Sequence, residues 1–166
     1  MNPHTIASAL QFMVDRTNGE RKGGTPKFLH PIRVALTLAE AGCSEETVIA
    51  GLLHDILEET ETTYNELESR FGIRVAQIVQ SLSHGEENDE EILQRVKEGG
   101  EEAVKIKLAD NMDNIRTIHN FKPDRRESYL QYANKINDLG WKVLGYNHPL
   151  LSLHGEMYKF AYNLPF

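Results

Sequence analysis

Apolar side chains recur at helical spacing along almost the whole chain, and this pattern excludes most other folds. Residues 48–57 place Val48, Ile49, Leu52, Leu53 and Ile56 on one face, and residues 73–82 do the same with Val75, Ile78, Val79 and Leu82. Residues 104–118 repeat it with Val104, Leu108, Met112, Ile115 and Ile118. Strand-like alternation is not sustained anywhere, and no internal repeat, long Pro/Ser-rich linker or low-complexity block interrupts the pattern. The spacing predicts an all-α, compact helical bundle of eight or nine helices, near 4–17, 31–41, 45–59, 63–71, 73–83, 89–98, 101–120, 124–139 and 148–162.

Several boundaries have a physical cause. Pro31 suits a first helical turn and puts His30 at the entrance of that helix. Gly42 closes the second helix and Ser44 can cap the third. Gly72 separates two periodic runs. Gly99-Gly100 ends another, after which Glu101 and Glu102 sit at the positive end of the next. Pro123-Asp124 breaks the chain before the helix carrying Tyr129 and Tyr132. Two stretches read as mobile: the basic loop NGERKGGTPK (18–27) and the acidic run HGEENDEE (84–91), the latter read mainly as a solvated loop and helix start.

The 166 residues suit a single domain, 1–166, with a real core. A net charge of −7 argues against a general nucleic-acid binder. It admits a small anionic substrate beside a local basic patch or a metal. Cys43 is the only cysteine, so neither an intramolecular disulfide nor a thiolate-rich zinc site can form. The segment MNPHTIASALQF lacks a basic region followed by an apolar run. No apolar stretch is long enough to span a bilayer. The expectation is a cytoplasmic protein with no membrane and no nucleic-acid polymer as partner.

Four residues of metal-ligand type stand at helix starts or within helices: His30, the adjacent pair His54-Asp55, and Asp110. Two imidazoles and two carboxylates suit a divalent ion such as Mn²⁺, Fe²⁺ or Zn²⁺. Adjacent helical residues point about 100° apart, so His54 and Asp55 can flank one ion from a single helix. Positions for water and a substrate oxygen then stay open. Asp110, Asn114 and Thr117 fall in one narrow sector, with Leu108, Met112 and Ile115 opposite, so this helix can turn a polar line toward a cleft. Glu58 and Glu59 lie one turn beyond His54 and Asp55, where carboxylates can orient or deprotonate a water. Each feature also has a plain reading: an incidental His-Asp pair, the wet end of a helix at 58–61, a solvated face at 110–117. His4, His84, His119, His148 and His154 are read as surface or core residues without a role. Spacing alone leaves both readings open.

Three strings then carry a resemblance. RKGGTPKFLHPIRVA (21–35), GLLHDILEET (51–60) and KLADNMDNIRT (107–117) resemble, in order and spacing, the hydrolase domain of the Rel/SpoT stringent-response family, and most of all its small stand-alone alarmone hydrolases. YNELESRFGIRVAQIVQSLS (64–83) is similar to the family's connecting helices. The resemblance implies an HD-type fold, a Mn²⁺-type metal, and hydrolytic removal of the 3′-diphosphate of guanosine tetra- or pentaphosphate. It implies His30, His54, Asp55 and Asp110 as metal ligands, and Glu58 and Glu59 as the acidic pair acting on the attacking water. It further implies Asn114 as a substrate-orienting residue, Arg21 stacked on the base with Lys22 as its basic neighbour, and Thr117 near base and ribose. The partner is then a small purine nucleotide, with a homodimer left open and no alarmone synthesis expected.

The chain departs from the family at four positions. Glu59 stands where aspartate is usual, an extra methylene that can shift a carboxylate by about an ångström and cost roughly a hundredfold in rate if geometry is tight. Lys27 replaces a frequent aromatic, Gly23 a serine-like residue, and Asp113 a histidine or aromatic. Asp113 is expected to add negative charge near a bound polyphosphate. Two other readings stay in view: a phosphohydrolase of the same fold acting on another nucleotide, and an inactive metal-binding sensor or interaction module.

Overall fold

A computed structural model describes residues 5–21 and 24–163. Among these, nine helices have eight or more residues, and a single four-residue turn adds a tenth. In chain order they are α1 (Ile6–Arg16), α2 (Leu29–Glu40), α3 (Glu45–Leu53), α4 (Ile56–Glu59), α5 (Tyr64–Phe71), α6 (Ile73–Leu82), α7 (Asp89–Glu98), α8 (Glu101–Arg116), α9 (Pro123–Leu144) and α10 (Pro149–Tyr162), with a 3-10 turn at Ile118–Asn120. The described residues contain no strand, only an isolated antiparallel bridge between Glu20 and Pro26. No helix among them is long and apolar enough to cross a membrane.

The all-helical reading holds, with three changes of boundary. The helix expected over 45–59 breaks at His54 and Asp55. Asp55 adopts φ −94°, ψ −2°, the bridge region that turns a chain out of a helix. The two residues therefore do not share one helix: His54 closes α3 and Asp55 opens α4. The helix expected to reach 120 stops at Arg116, and that expected to stop at 139 runs to Leu144, where Gly145 at φ 77° ends it. Ser44 caps α3 as expected, its hydroxyl accepting from the Thr47 N–H. Residues 18–21 and 24–27 pair as the two arms of a hairpin: Arg21 N–H donates to the Thr25 carbonyl and Lys27 N–H to the Gly19 carbonyl.

α8 is the axis of the fold and packs against α2, α3, α6, α7, α9 and α10. The apolar spacing implies one buried flank, yet residues 103–113, apart from Lys105, are all buried, including Lys107, Asp110, Asn111 and Asp113. A helix buried all round must satisfy its own polar groups internally. α2 and α3 also lie very close. A Cβ at Gly51 would stand 2.4 Å from a Leu38 methyl, and Leu38 is fully buried. This close approach brings His30 of α2 beside His54 of α3.

Burial also acts on α10. His154 is wholly enclosed, and loss of hydration pushes its imidazole down to about 4, so it is neutral in the fold.

Two outcomes are expected. Gly51→Ala gains roughly 1 kcal/mol of helix propensity but forces apart a packed seam at a cost of about 1–3 kcal/mol; thermal denaturation should show a net loss. The depressed His154 pKa means that the unfolded chain takes up a proton as pH falls below about 6.5 while the fold does not. His154 should thus leave stability intact above that pH and remove about 3 kcal/mol as pH falls to 4. In chemical denaturation across this window, His154→Gln should flatten the slope.

Candidate metal centre and cleft

His30 stands in the first turn of α2, where Pro31 is already set to helical φ. Its Nδ1 lies 2.6 Å from Asp113 Oδ2 on α8. Arg33, almost one turn further along α2, donates to the same carboxylate from Nε at 2.5 Å and Nη2 at 2.9 Å. His54 Nδ1 donates to the Gly51 carbonyl at 2.8 Å. With both Nδ1 atoms committed, each ring presents Nε2 to the same spot. His30 Nε2 is 3.2 Å from Asp110 Oδ1 and 3.6 Å from Asp55 Oδ2. His54 Nε2 is 3.1 Å from Asp55 Oδ1 and 3.8 Å from Asp110 Oδ1. One ligand atom each from His30, His54 and Asp110 falls within 4.8 Å of the others, and Asp55 borders this group.

The chemistry of this donor set fits a divalent cation. Both Nε2 atoms are buried and lack an aligned hydrogen bond among the described residues. A buried imidazole nitrogen without a partner is costly unless something else satisfies it. The electrostatics agree. Burial alone would lower the His54 pKa, yet the Asp55 and Asp110 charges outweigh it and raise it to about 9. His30 is raised too, against its own desolvation, by Asp110 and Asp113. Asp110 is held well below the usual carboxylate range: burial opposes this, but Lys107, His30 and His54 prevail. The cluster therefore attracts positive charge strongly, the property a metal site needs.

A second line of polar groups extends from it. Lys107 Nζ is 3.1 Å from Asp110 Oδ2, and Asn114 Nδ2 donates to Asp110 Oδ1 at 2.7 Å. Arg21 Nη2 donates to Asn114 Oδ1 at 2.9 Å, so the hairpin reaches across to α8. Thr117, exposed at the end of α8, donates to the Asn114 carbonyl. Glu58 accepts from the His84 backbone N–H at 2.9 Å, and burial raises its pKa despite that bond. Glu59 lies 3.5 Å from Lys27. A cleft of about 620 Å³ opens beside the cluster, bordered by Arg21, His30, His54, Asp55, Glu59, Asp110, Asn114 and Thr117. Lys22 and Gly23 lie outside the described residues.

Asp113 behaves differently from expectation. It is 4% exposed and turned away from the cleft into the α2–α8 seam, so it adds no free charge near a ligand. Burial disfavours its ionised form, but His30 and Arg33 lower its pKa to about 2. Its role is invisible in the sequence because no spacing links position 113 to 30 and 33. His84, read as having no role, borders the cleft and holds Glu58. Lys107, Arg125, Tyr129 and Tyr132 also line the cleft, outside the set expected from sequence. Of these only Lys107, one turn before Asp110, leaves a local signal.

These features define a protein of the HD class, and the HD domain sequence family matches residues 9–138. Among curated relatives, the chain is 37% identical over 155 residues to guanosine-3′,5′-bis(diphosphate) 3′-pyrophosphohydrolase of Aquifex aeolicus, covering 83% of this chain but 22% of that protein. It is 34% identical over 146 residues to guanosine-3′,5′-bis(diphosphate) 3′-pyrophosphohydrolase MESH1 of Danio rerio, covering 79% of this chain and 81% of that one. A solved structure of a metazoan ortholog of SpoT that hydrolyses ppGpp superposes with a TM-score of 0.79 at 24% identity, over 95% of this chain and 96% of that one. The chain belongs to the HD domain family, and the curated relatives it resembles carry the name guanosine-3′,5′-bis(diphosphate) 3′-pyrophosphohydrolase.

Asp113→Asn should leave the helical content intact and weaken divalent-metal binding about 10–100-fold, because the carboxylate that orients His30 is gone. Isothermal titration of metal-stripped protein measures this; unchanged affinity would detach Asp113 from the metal centre.

Proposed function

We propose that the chain, acting as a single HD domain, hydrolyses the 3′-diphosphate of guanosine 3′,5′-bis(diphosphate) and its 5′-triphosphate analogue, releasing pyrophosphate. The observation that carries this is the convergence of His30, His54 and Asp110, with two buried Nε2 atoms that no aligned hydrogen bond takes among the described residues, beside an open cleft. The names of the similar proteins supply the substrate.

His30, His54, Asp55 and Asp110 would hold the cation, for which Mn²⁺ suits the mixed imidazole and carboxylate set. When bound, such an ion supplies Lewis-acid polarisation of a phosphoryl oxygen and makes water more acidic. The residues then do the positioning on which phosphoryl transfer depends. Glu58, whose pKa burial raises above the ordinary carboxylate value, becomes a better proton acceptor for water, and Glu59 completes the acidic pair. The water oxygen bonds to the phosphorus attached at the ribose 3′-oxygen. The bond to that oxygen breaks, and the proton is returned to it. Asn114, fixed between Asp110 and Arg21, orients the substrate. Arg21 offers a flat cation to the purine face, with Lys22 beside it, and Thr117 lies toward base and ribose. We place the reaction in the cytoplasm, on a small nucleotide, and keep a homodimer as the assembly to examine.

The test is a chromatographic screen of Mn²⁺-loaded protein against 3′- and 5′-phosphorylated purine nucleotides. The expected result is pyrophosphate together with guanosine 5′-diphosphate, or guanosine 5′-triphosphate from the 5′-triphosphate analogue. Glu58→Gln should retain metal and lose turnover by two orders of magnitude or more. Tight metal binding with no pyrophosphate from any nucleotide would leave a metal-binding module, and release from an adenine analogue alone would move the substrate.

A further inference from the structure

A hydrogen-bond chain runs through the core from α10 to the cleft wall, using residues that neither the metal centre nor the acidic pair employs. His154 on α10 is fully buried, and its Nε2 lies 2.8 Å from Asn111 Oδ1 on α8. Asn111 is itself 1% exposed. Its Nδ2 donates at 2.9 Å to the hydroxyl of Tyr129 on α9. Tyr129 borders the cleft together with Lys107, Asp110 and Asn114.

The chain can run in two directions, and the orphaned atom decides between them. In one, His154 Nε2–H donates to Asn111 Oδ1 and the amide N–H donates to Tyr129, leaving His154 Nδ1 as a lone pair. In the other the amide is reversed, Tyr129 donates inward, and His154 must carry its proton on Nδ1. That nitrogen is buried and has no partner among the described residues. A buried unpaired N–H is rarer and costlier than an unpaired acceptor. The first direction is therefore favoured. Tyr129 then accepts from the core, and its own O–H, which no acceptor among the described residues takes, is turned to the cleft.

We propose that His154 is a positioning residue that, through the Asn111 amide, fixes Tyr129 as a hydrogen-bond donor toward an anionic oxygen of the bound ligand. The selectivity follows from polarity. A wall of donors at Tyr129 and Lys107 rewards acceptor-only groups such as phosphate oxygens and discriminates against ligand N–H or O–H groups at the same place. The proposal deepens the reading of the cleft as a phosphate-ester site and rests on it, but it is tested by binding rather than by turnover.

The experiment is isothermal titration of the full Mn²⁺-loaded chain with inorganic pyrophosphate. His154→Leu should weaken binding about fivefold, and His154→Gln, whose amide can donate to Asn111, should restore it to within about twofold. Tyr129→Phe should weaken binding by a similar factor, and the double variant that combines His154→Leu with Tyr129→Phe should bind no worse than Tyr129→Phe alone. Additive losses, or wild-type affinity in His154→Leu, would overturn the proposal. Should His154→Leu fail to fold, nitrogen NMR of the wild-type histidines decides the same point: the Nε2–H tautomer at His154 is required, and an Nδ1–H tautomer refutes it. A protein that binds pyrophosphate in this pattern yet hydrolyses no nucleotide would sink the proposed reaction and leave the positioning role standing.

Discussion

Two imidazoles share one buried carboxylate, and the rest of the molecule is arranged around making that contact tolerable. His30 and His54 come from different helices, and both turn Nε2 toward Asp110 on a third. Burying such groups costs several kcal/mol unless each is paired. The pairing comes from the frame: Asp113 on one ring, the Gly51 carbonyl on the other, and Lys107 with Asn114 on Asp110. The remaining pull of the carboxylates on positive charge is what a bound dication would satisfy.

Charge is therefore managed in pairs rather than by exposure. Asp113 is cancelled by Arg33 before it can oppose a ligand, and Asp110 is offset by Lys107. An acidic protein with a net charge of −7 can in this way border its cleft with donors at Arg21, Lys27 and Tyr129, beside the carboxylates of Glu20, Glu59 and Asp89. The helix break at Asp55 contributes as well. A continuous helix would keep His54 and Asp55 about 100° apart on one rod, whereas the corner brings Asp55 within reach of both Nε2 atoms.

The periodic parts were legible in the sequence. Helical spacing located every long helix, because a buried apolar face leaves its period in the chain. Proline and glycine marked most ends. The metal-type residues were legible as a set because two histidines and two aspartates stood in quotable strings, and the geometry brings them together. The rest depends on contacts between distant segments. Nothing local reports that Asp113 folds inward on Arg33, that His84 reaches Glu58 across 26 residues, or that His154 meets Asn111 across 43. The break at 54–55 was hidden for a related reason: Ile56 continues the apolar period although the backbone does not.

The burial of α8 on every side has a further consequence. Lys107, Asp110, Asn111, Asp113 and Asn114 are all mounted on one rod with a rise of about 1.5 Å per residue. Their mutual offsets are as stiff as the rod, and a rod gripped by six neighbours cannot slide or twist without disturbing the whole core. Retuning what the cleft accepts is thus easiest from the opposing pieces, the paired arms at 18–21 and 24–27 and the outer turns of α9, which can be rewritten while the ruler they are measured against stays fixed.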